Sequence, residues 1–174
     1  MHLLRVALRI IVHYDVHDAD IIYAALLHDL VEDHADDLSP AGRSGAFAML
    51  AVCFGPPVAD LVSAVTNPVY VPDSGKREQY LAHVVASLES HPWARVLKAS
   101  DFTDNGVGLI YTTGPKAAKL ARKYAPLVPV LADLIARQDT PLSCQAKARI
   151  LRQLDTARER FAAIASATVP PEGR

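Results

Sequence analysis

Apolar and polar positions along this chain recur at the three- and four-residue spacing of helices, with no convincing two-residue strand period. Leu3 to Val12 is apolar on most sides, with His2, Arg5, Arg9 and His13 as its polar stripe; for Arg5 and His13 a solvated face is expected. Tyr14 to His17 reads as a turn. Asp18 is a plausible N-cap for a buried helix that starts near Ile21 and ends near His34. Ala35 to Leu38 reads as a polar connection. Ser39-Pro40 then opens a helix, with Ser39 as cap and Pro40 at the first position, and it stops at Gly55-Pro56-Pro57. Val58 to Thr66 is a short amphipathic helix, and Asn67 to Gly75, with two prolines and a glycine, is a loop.

Lys76 to Leu88 returns to helical spacing, with His83 expected on the exposed side. His91-Pro92 breaks it, and Trp93 is expected to anchor a further apolar helix that carries Asp101 near its end. Thr112 to Pro115 reads as a loop and Lys116 to Tyr124 as a basic helix. Pro126 and Pro129 interrupt that pattern before it resumes to Arg137. Ser143 to about Ala167 is a long final helix, and residues 168–174 are expected to be a flexible tail. The expected fold is all-α, one domain over residues 1–167.

Composition narrows the class without choosing a function. A length of 174 residues suits a single core, and 51% apolar with 21% charged residues is a globular balance. A formal net charge of −1 supplies no field to recruit nucleic acid or an anionic membrane. No apolar run reaches the roughly 18 residues that span a bilayer, and Arg5 and Arg9 interrupt any signal-peptide pattern. Cys53 and Cys144 lack metal-type spacing and read as thiols of a reducing compartment, so a cytoplasmic protein is expected.

One stretch breaks the apolar logic. Ala24-Ala25-Leu26-Leu27 is followed directly by His28-Asp29-Leu30-Val31-Glu32-Asp33. Ionisable groups at the end of a buried helix are costly unless they are paired or bind a metal. On a helix His28 and Asp29 point about 100° apart, so both can reach one ion. Glu32 lies four residues after His28 and Asp33 four after Asp29, one turn further on. That is an ion site with acids beside it, the layout of metal-assisted acid–base chemistry.

The Ala24–Asp33 stretch resembles the HD superfamily of metal-dependent phosphohydrolases. More narrowly it resembles the hydrolase domain of the RelA/SpoT family and its small stand-alone alarmone hydrolases. The likeness continues at Phe54-Gly55 with Val58, Leu61-Val62 and Val65-Thr66. It also covers Lys98-Ala99-Ser100-Asp101 with Asn105, and Tyr124-Ala125-Pro126-Leu127. The resemblance implies a helical bundle that removes the 3′-pyrophosphate from guanosine tetra- or pentaphosphate in the stringent response. It implies a metal held by His2, His28, Asp29 and Asp101, and a catalytic acid pair at Glu32 and Asp33. Lys98 and Asn105 would face the nucleotide. Imidazole and carboxylate suit Mn²⁺, Fe²⁺ or Zn²⁺, and the resemblance implies Mn²⁺.

Two departures stand out. Leu3 replaces the family's proline after the first histidine, and the family's basic helix and loop ahead of that histidine have no counterpart in a sequence read from Met1. Lys119, Arg122 and Lys123 could substitute, with Tyr124 stacking on a base, although each of these basic residues also reads as a solvated helix face. The expected partner is a small phosphorylated nucleotide, with no nucleic acid and no membrane. Two other readings stay open: an HD nucleotidase or phosphatase of another metabolite, and a helical module that holds a metal without turnover.

Overall fold

The computed structural model describes residues 1–72, 75–106 and 114–167. Among the described residues the chain forms ten helices and no strand. They are α1 (His2–Tyr14), α2 (Ala19–Leu27), α3 (Leu30–Leu38), α4 (Gly42–Phe54) and α5 (Pro56–Val65), then α6 (Lys76–Ser90), α7 (Pro92–Asn105), α8 (Gly114–Tyr124), α9 (Leu127–Ala136) and α10 (Cys144–Ala167). The all-α, single-domain expectation holds. The expected tail at 168–174, and the part of the Thr112–Pro115 loop before Gly114, lie outside the described residues. Among the described residues no helix is long and apolar enough to cross a membrane. Cys53 and Cys144 are exposed and unbridged.

Helix α7 is the axis of the fold. Every residue from Ala94 to Thr103 is buried, and the helix packs against α1, α2, α5, α6, α9 and α10. Half of that buried run is polar, so each side chain must find a partner inside the protein. Ser100 Oγ donates to the Val6 carbonyl of α1 at 2.8 Å, and Thr103 Oγ1 donates to the Ala99 carbonyl at 2.8 Å. Arg95, at the start of the run, is closed off by Asp139 and Thr140 from the turn after α9. The polar residues of α7 thus tie its neighbours to it, while Val96, Leu97 and Phe102 fill the core.

Helix α1 buries Val6, Ala7, Ile10 and Tyr14 and leaves Leu4, Leu8 and Val12 exposed. Arg5 and His13 of its polar stripe are exposed as expected, yet His2, Arg5 and Arg9 all turn toward the C-terminal end of α7. The α1 terminus is a left-handed turn at Asp15, φ 56°. Asp18 caps α2 as expected, its Oδ1 accepting from Asp20 N at 2.9 Å and Ile21 N at 3.3 Å. Ala24 and Ala25 are fully buried and let α1 and α5 approach α2 closely.

Several expected boundaries move. The helix expected to run from near Ile21 to His34 is two, α2 and α3, broken at His28-Asp29, and the second bends at His34 (φ −135°) and continues through the segment read as a connection. Ser39 does not cap α4. Its Oγ accepts from Ala41 N within a turn, Gly42 takes a positive φ of 60°, and the helix starts there. Trp93 is 37% exposed and anchors little. His83 is half-buried rather than exposed, its Nε2 3.0 Å from the Thr66 carbonyl. His13 stays exposed but is contacted by the Arg149 guanidinium of α10.

Candidate metal centre

The site forms where α1, the α2–α3 junction and the end of α7 meet. The break at His28-Asp29 matters here. Both residues keep right-handed helical dihedrals, φ/ψ −62°/−29° and −90°/−10°, but belong to neither helix. The junction leaves the two side chains beside each other, His28 Nε2 lying 3.2 Å from Asp29 Oδ1. His28 is 4% exposed, and its Nδ1 lies 2.8 Å from the Ala25 carbonyl. A carbonyl only accepts, so Nδ1 carries the proton and Nε2 presents its lone pair.

His2 is arranged the same way by different means. Its Nδ1 lies 2.7 Å from Asp104 Oδ2, a carboxylate acceptor, which makes Nε2 the nitrogen open to a second proton or a cation. The two Nε2 atoms face each other at 3.3 Å. Asp101 Oδ1 lies 3.3 Å from His2 Nε2 and 3.8 Å from His28 Nε2, and Asp29 Oδ2 lies 3.7 Å from His2 Nε2. Ligand atoms of His2, His28 and Asp29 all fall within 4.8 Å of one another. The two imidazole nitrogens and the Asp29 carboxylate thus face one another, and Asp101 Oδ1 approaches the two imidazoles. Protons or a cation relieve that arrangement, and nitrogen with carboxylate oxygen is a donor set suited to a divalent transition ion. The residues present fit the group.

Without a metal, protons do the same work. The Asp101 carboxylate, against the opposing effect of burial and with help from Asp104, pushes His2 up to about 9. Burial works to lower His28, but Asp101 and Asp29 outweigh it and the imidazole is raised.

Lys98 and Asn105 do not point away from Asp101 but hold it. Lys98 Nζ donates to Asp101 Oδ2 at 2.9 Å and Asn105 Nδ2 donates to Oδ1 at 2.6 Å. Burial opposes charge on both Lys98 and Asp101. The pair overcomes it together, so the lysine is held above its ordinary range and the aspartate well below. An ionised Asp101 at 7% exposure is what a buried cation site requires.

The acid pair is placed differently from the ligands. Glu32 and Asp33 are exposed in the first turn of α3. Glu32 accepts from both the backbone N of Asn67, at 2.6 Å, and its Nδ2, while Arg43 Nη2 donates to the Asn67 carbonyl. Glu32 therefore grips the start of the α5–α6 loop. Asp33 opens onto a cleft it shares with Asp36, Asp37 and Arg43.

The expected basic residues gather, and α6 adds to them. Lys119 and Arg122 of α8 line an open cleft of about 590 Å³ with Lys76, Arg77 and Lys123. Among the described residues none of these five cations has an ion-pair partner. Tyr70 and Tyr80 complete the wall, with Lys76 Nζ 5.8 Å from the Tyr70 ring centre and Lys123 Nζ 5.4 Å from that of Tyr80. Tyr124 is not an open stacking surface. It is 8% exposed, edge-on to Phe102 at 5.9 Å, with Lys123 Nζ 5.1 Å from its ring centre. Burial pushes its hydroxyl up to about 12. Burial raises the Tyr80 hydroxyl against the opposing charge of Lys98.

Asp104, Arg5 and Arg9 were not expected at the site. Their signal was spacing: Asp104 lies three residues after Asp101, and Arg5 and Arg9 lie three and seven after His2. Lys76, Arg77 and Tyr70 gave no such signal, because only the tertiary fold brings them to one cleft with α8. No protein-family model, curated protein or solved structure matches this chain.

Proposed function

We propose that this protein is a metal-dependent phosphohydrolase of HD type, and that its substrate is a guanosine 3′-pyrophosphate cleaved to GDP or GTP and pyrophosphate. The observation that carries the reading is the cluster of His2, His28 and Asp29, with Asp101 against both imidazoles and held by Lys98. A divalent ion at that point, Mn²⁺ in this reading, supplies Lewis acidity toward a phosphoryl oxygen and toward an attacking water.

The chain's own residues do the remaining work. His2, His28, Asp29 and Asp101 hold the ion. Lys98 keeps Asp101 ionised and places a positive charge at the edge of the site, where charge on transferred phosphate oxygens must be neutralised. Asn105 fixes the other Asp101 oxygen. Asp33, on the acidic cleft, is suited to moving the proton of water, while Glu32, equally exposed, orders the Asn67 loop beside it. The cations of the cleft, Lys119 and Arg122 among them, take the phosphates that are not cleaved. An exposed cluster of like charges is unfavourable on its own and favours a polyanion.

Incubating the Mn²⁺-loaded protein with guanosine tetraphosphate and resolving the products by ion exchange tests the reading. GDP and pyrophosphate are expected. Orthophosphate as the only released product would transfer the protein to phosphatases of another metabolite. Metal binding without turnover of any phosphorylated nucleotide would leave a metal-holding module.

A further inference from the structure

The two imidazoles of the centre are aimed by different devices, and the difference singles out one residue. His28 sits in the α2–α3 junction, is buried, and gives its Nδ1–H to a backbone carbonyl of its own preceding helix. His2 has no such local support. It is the first residue of α1, where the helical hydrogen bonds that would hold the backbone are incomplete. Its side chain is about a quarter exposed. No group of α1 accepts its Nδ1–H; the acceptor is Asp104, at the far end of α7.

Asp104 is itself held more firmly than its place in the last turn of a helix would require. Arg5 Nε donates to Oδ1 at 2.8 Å and Arg5 Nη2 to Oδ2 at 2.8 Å, a two-pronged guanidinium–carboxylate pair. Arg9 Nη2 donates to Oδ1 at 3.1 Å, and its Nη1 donates to the Ser100 carbonyl at 2.8 Å. The carboxylate side chain is 6% exposed. It lies on the outer edge of the His2 ring, away from the nitrogen that faces Asp101 and Asp29, so it does not reach the point where the ligands converge.

We propose that Asp104 is the positioning residue of the metal centre: clamped by Arg5 and Arg9, it fixes His2 with the proton on Nδ1 and Nε2 directed at the ion. This rests on the metal-centre reading above. The physical logic is that of a carboxylate behind a ligating histidine, which orients the ring, selects the tautomer and raises the basicity of the nitrogen that binds. The arginines add a second layer. They keep the carboxylate from rotating toward the ion, and they join α1 to α7 so that a ligand from a helix end has a fixed address.

The test is made on the full chain with Zn²⁺ and Mn²⁺ as the probes. Competition against a chromophoric chelator gives the affinity of each ion for wild type and for Asp104→Asn, with circular dichroism and urea unfolding of the metal-free proteins alongside. Asp104→Asn is expected to stay folded and to bind both ions about 10- to 100-fold more weakly. A helix tie with no role at the metal would instead lower the urea midpoint and leave affinity unchanged, which would overturn the proposal.

A second measurement does not depend on the variant folding. In Zn²⁺-loaded wild type, proton–nitrogen correlation spectra are expected to show a slowly exchanging, low-field proton on His2 Nδ1, with Nε2 shifted by the metal. Zn²⁺ on Nδ1, or no protected Nδ1–H, would overturn the proposal while leaving the metal centre standing. If wild type binds neither ion, the underlying reading falls and this one falls with it.

Discussion

The two ends of α7 each bury charge, and they treat it in opposite ways. At the start of the buried run Arg95 is fully buried, and all of its N–H groups are accounted for. Nε donates to the Leu88 carbonyl, Nη2 to the Glu89 carbonyl and Asp139, and Nη1 to Asp139 and Thr140, at 2.7 to 3.1 Å. Donors meet acceptors, and nothing is left to bind. At the other end the sign of the mismatch is fixed: His2, His28, Asp29 and Asp101 present acceptors to one another, and only protons or a cation resolve them. A closed network stabilises a fold; a cluster that needs protons or a cation to satisfy it is a candidate site. Buried charge alone, which both ends share, does not distinguish them.

The largest expected effect breaks the closed end. Arg95→Leu removes the guanidinium and strands the carbonyls of Leu88 and Glu89, while Asp139, half exposed, can return to water. One buried and one part-buried acceptor left without donors should cost about 2 kcal/mol, read as a lower urea midpoint at unchanged slope. Arg95→Lys should recover little, because an ammonium cannot reach this many acceptors at once. A loss below about 1 kcal/mol would show that the network is not what holds α6, α7 and the turn after α9 together.

The open end should respond the other way. His28→Gln keeps the bulk of the side chain but removes the Nε2 lone pair from the centre. Metal affinity should fall on the order of 100-fold or more, beyond the effect of an outer-layer partner. The metal-free protein should change by no more than about 1 kcal/mol, since a crowded acceptor has been removed. Chelator competition and urea unfolding on the same sample separate the two. If His28→Gln unfolds the metal-free protein while affinity in the folded fraction is unchanged, the two ends of α7 are alike and the contrast fails.

Acid sharpens the comparison without mutation. Asp139 is held below its ordinary carboxylate value, first by the hydrogen bonds from Arg95, against a small opposing effect of burial. A depressed folded-state value means that the stabilisation is fully present above the unfolded pKa, about 3.9. It is lost as pH falls through the folded value, because the unfolded chain then binds the proton first. Stability of the wild type should therefore fall from about pH 4 downward, and Asp139→Asn should flatten that part of the curve while lowering stability at neutral pH. Equal slopes in the two proteins below pH 4 would place the acid sensitivity elsewhere.

Much of this was legible in sequence because it was local. The cap at Asp18, the stop at Gly55-Pro56-Pro57, the break at His91-Pro92 and the all-α class follow from residues close in the chain. The break at His28-Asp29 was not, since both residues keep helical dihedrals and no glycine or proline marks it. Trp93 is exposed because it lies in the first turn of α7, ahead of the buried run that begins at Ala94. At the site, His2, His28, Asp29 and Asp101 could be named from resemblance; His2, His28 and Asp29 cluster, and Asp101 lies against the two histidines. Asp104 could not, because its meaning depends on α1 docking against the end of α7. Glu32 could be named, but its grip on Asn67 depends on where the α5–α6 loop returns.

The smallest expected effect concerns the basic cleft, and it asks whether open cations behave like the open end of α7. Lys76, Arg77, Lys119, Arg122 and Lys123 are all exposed and, among the described residues, have no carboxylate partner. Each exposed contact to a phosphate should be worth about 0.2–1 kcal/mol, roughly a 1.5- to 5-fold change in KM. Arg77→Ala should therefore raise KM a few-fold at low salt and leave kcat unchanged, as for binding that is uniform between ground and transition states. Raising ionic strength should shrink the difference between variant and wild type, because exposed charges are screened within about 10 Å at 0.1 M. Combining Arg77→Ala with Lys119→Ala should add the two effects in KM and should not destabilise the protein, since two mutually repelling charges have been removed. The cleft would then be, like the acceptors at the metal centre, a cluster that gains nothing for the fold and waits on a ligand of opposite sign. A change in kcat without one in KM, or a drop in the urea midpoint, would instead make these cations part of the scaffold, as Arg95 is.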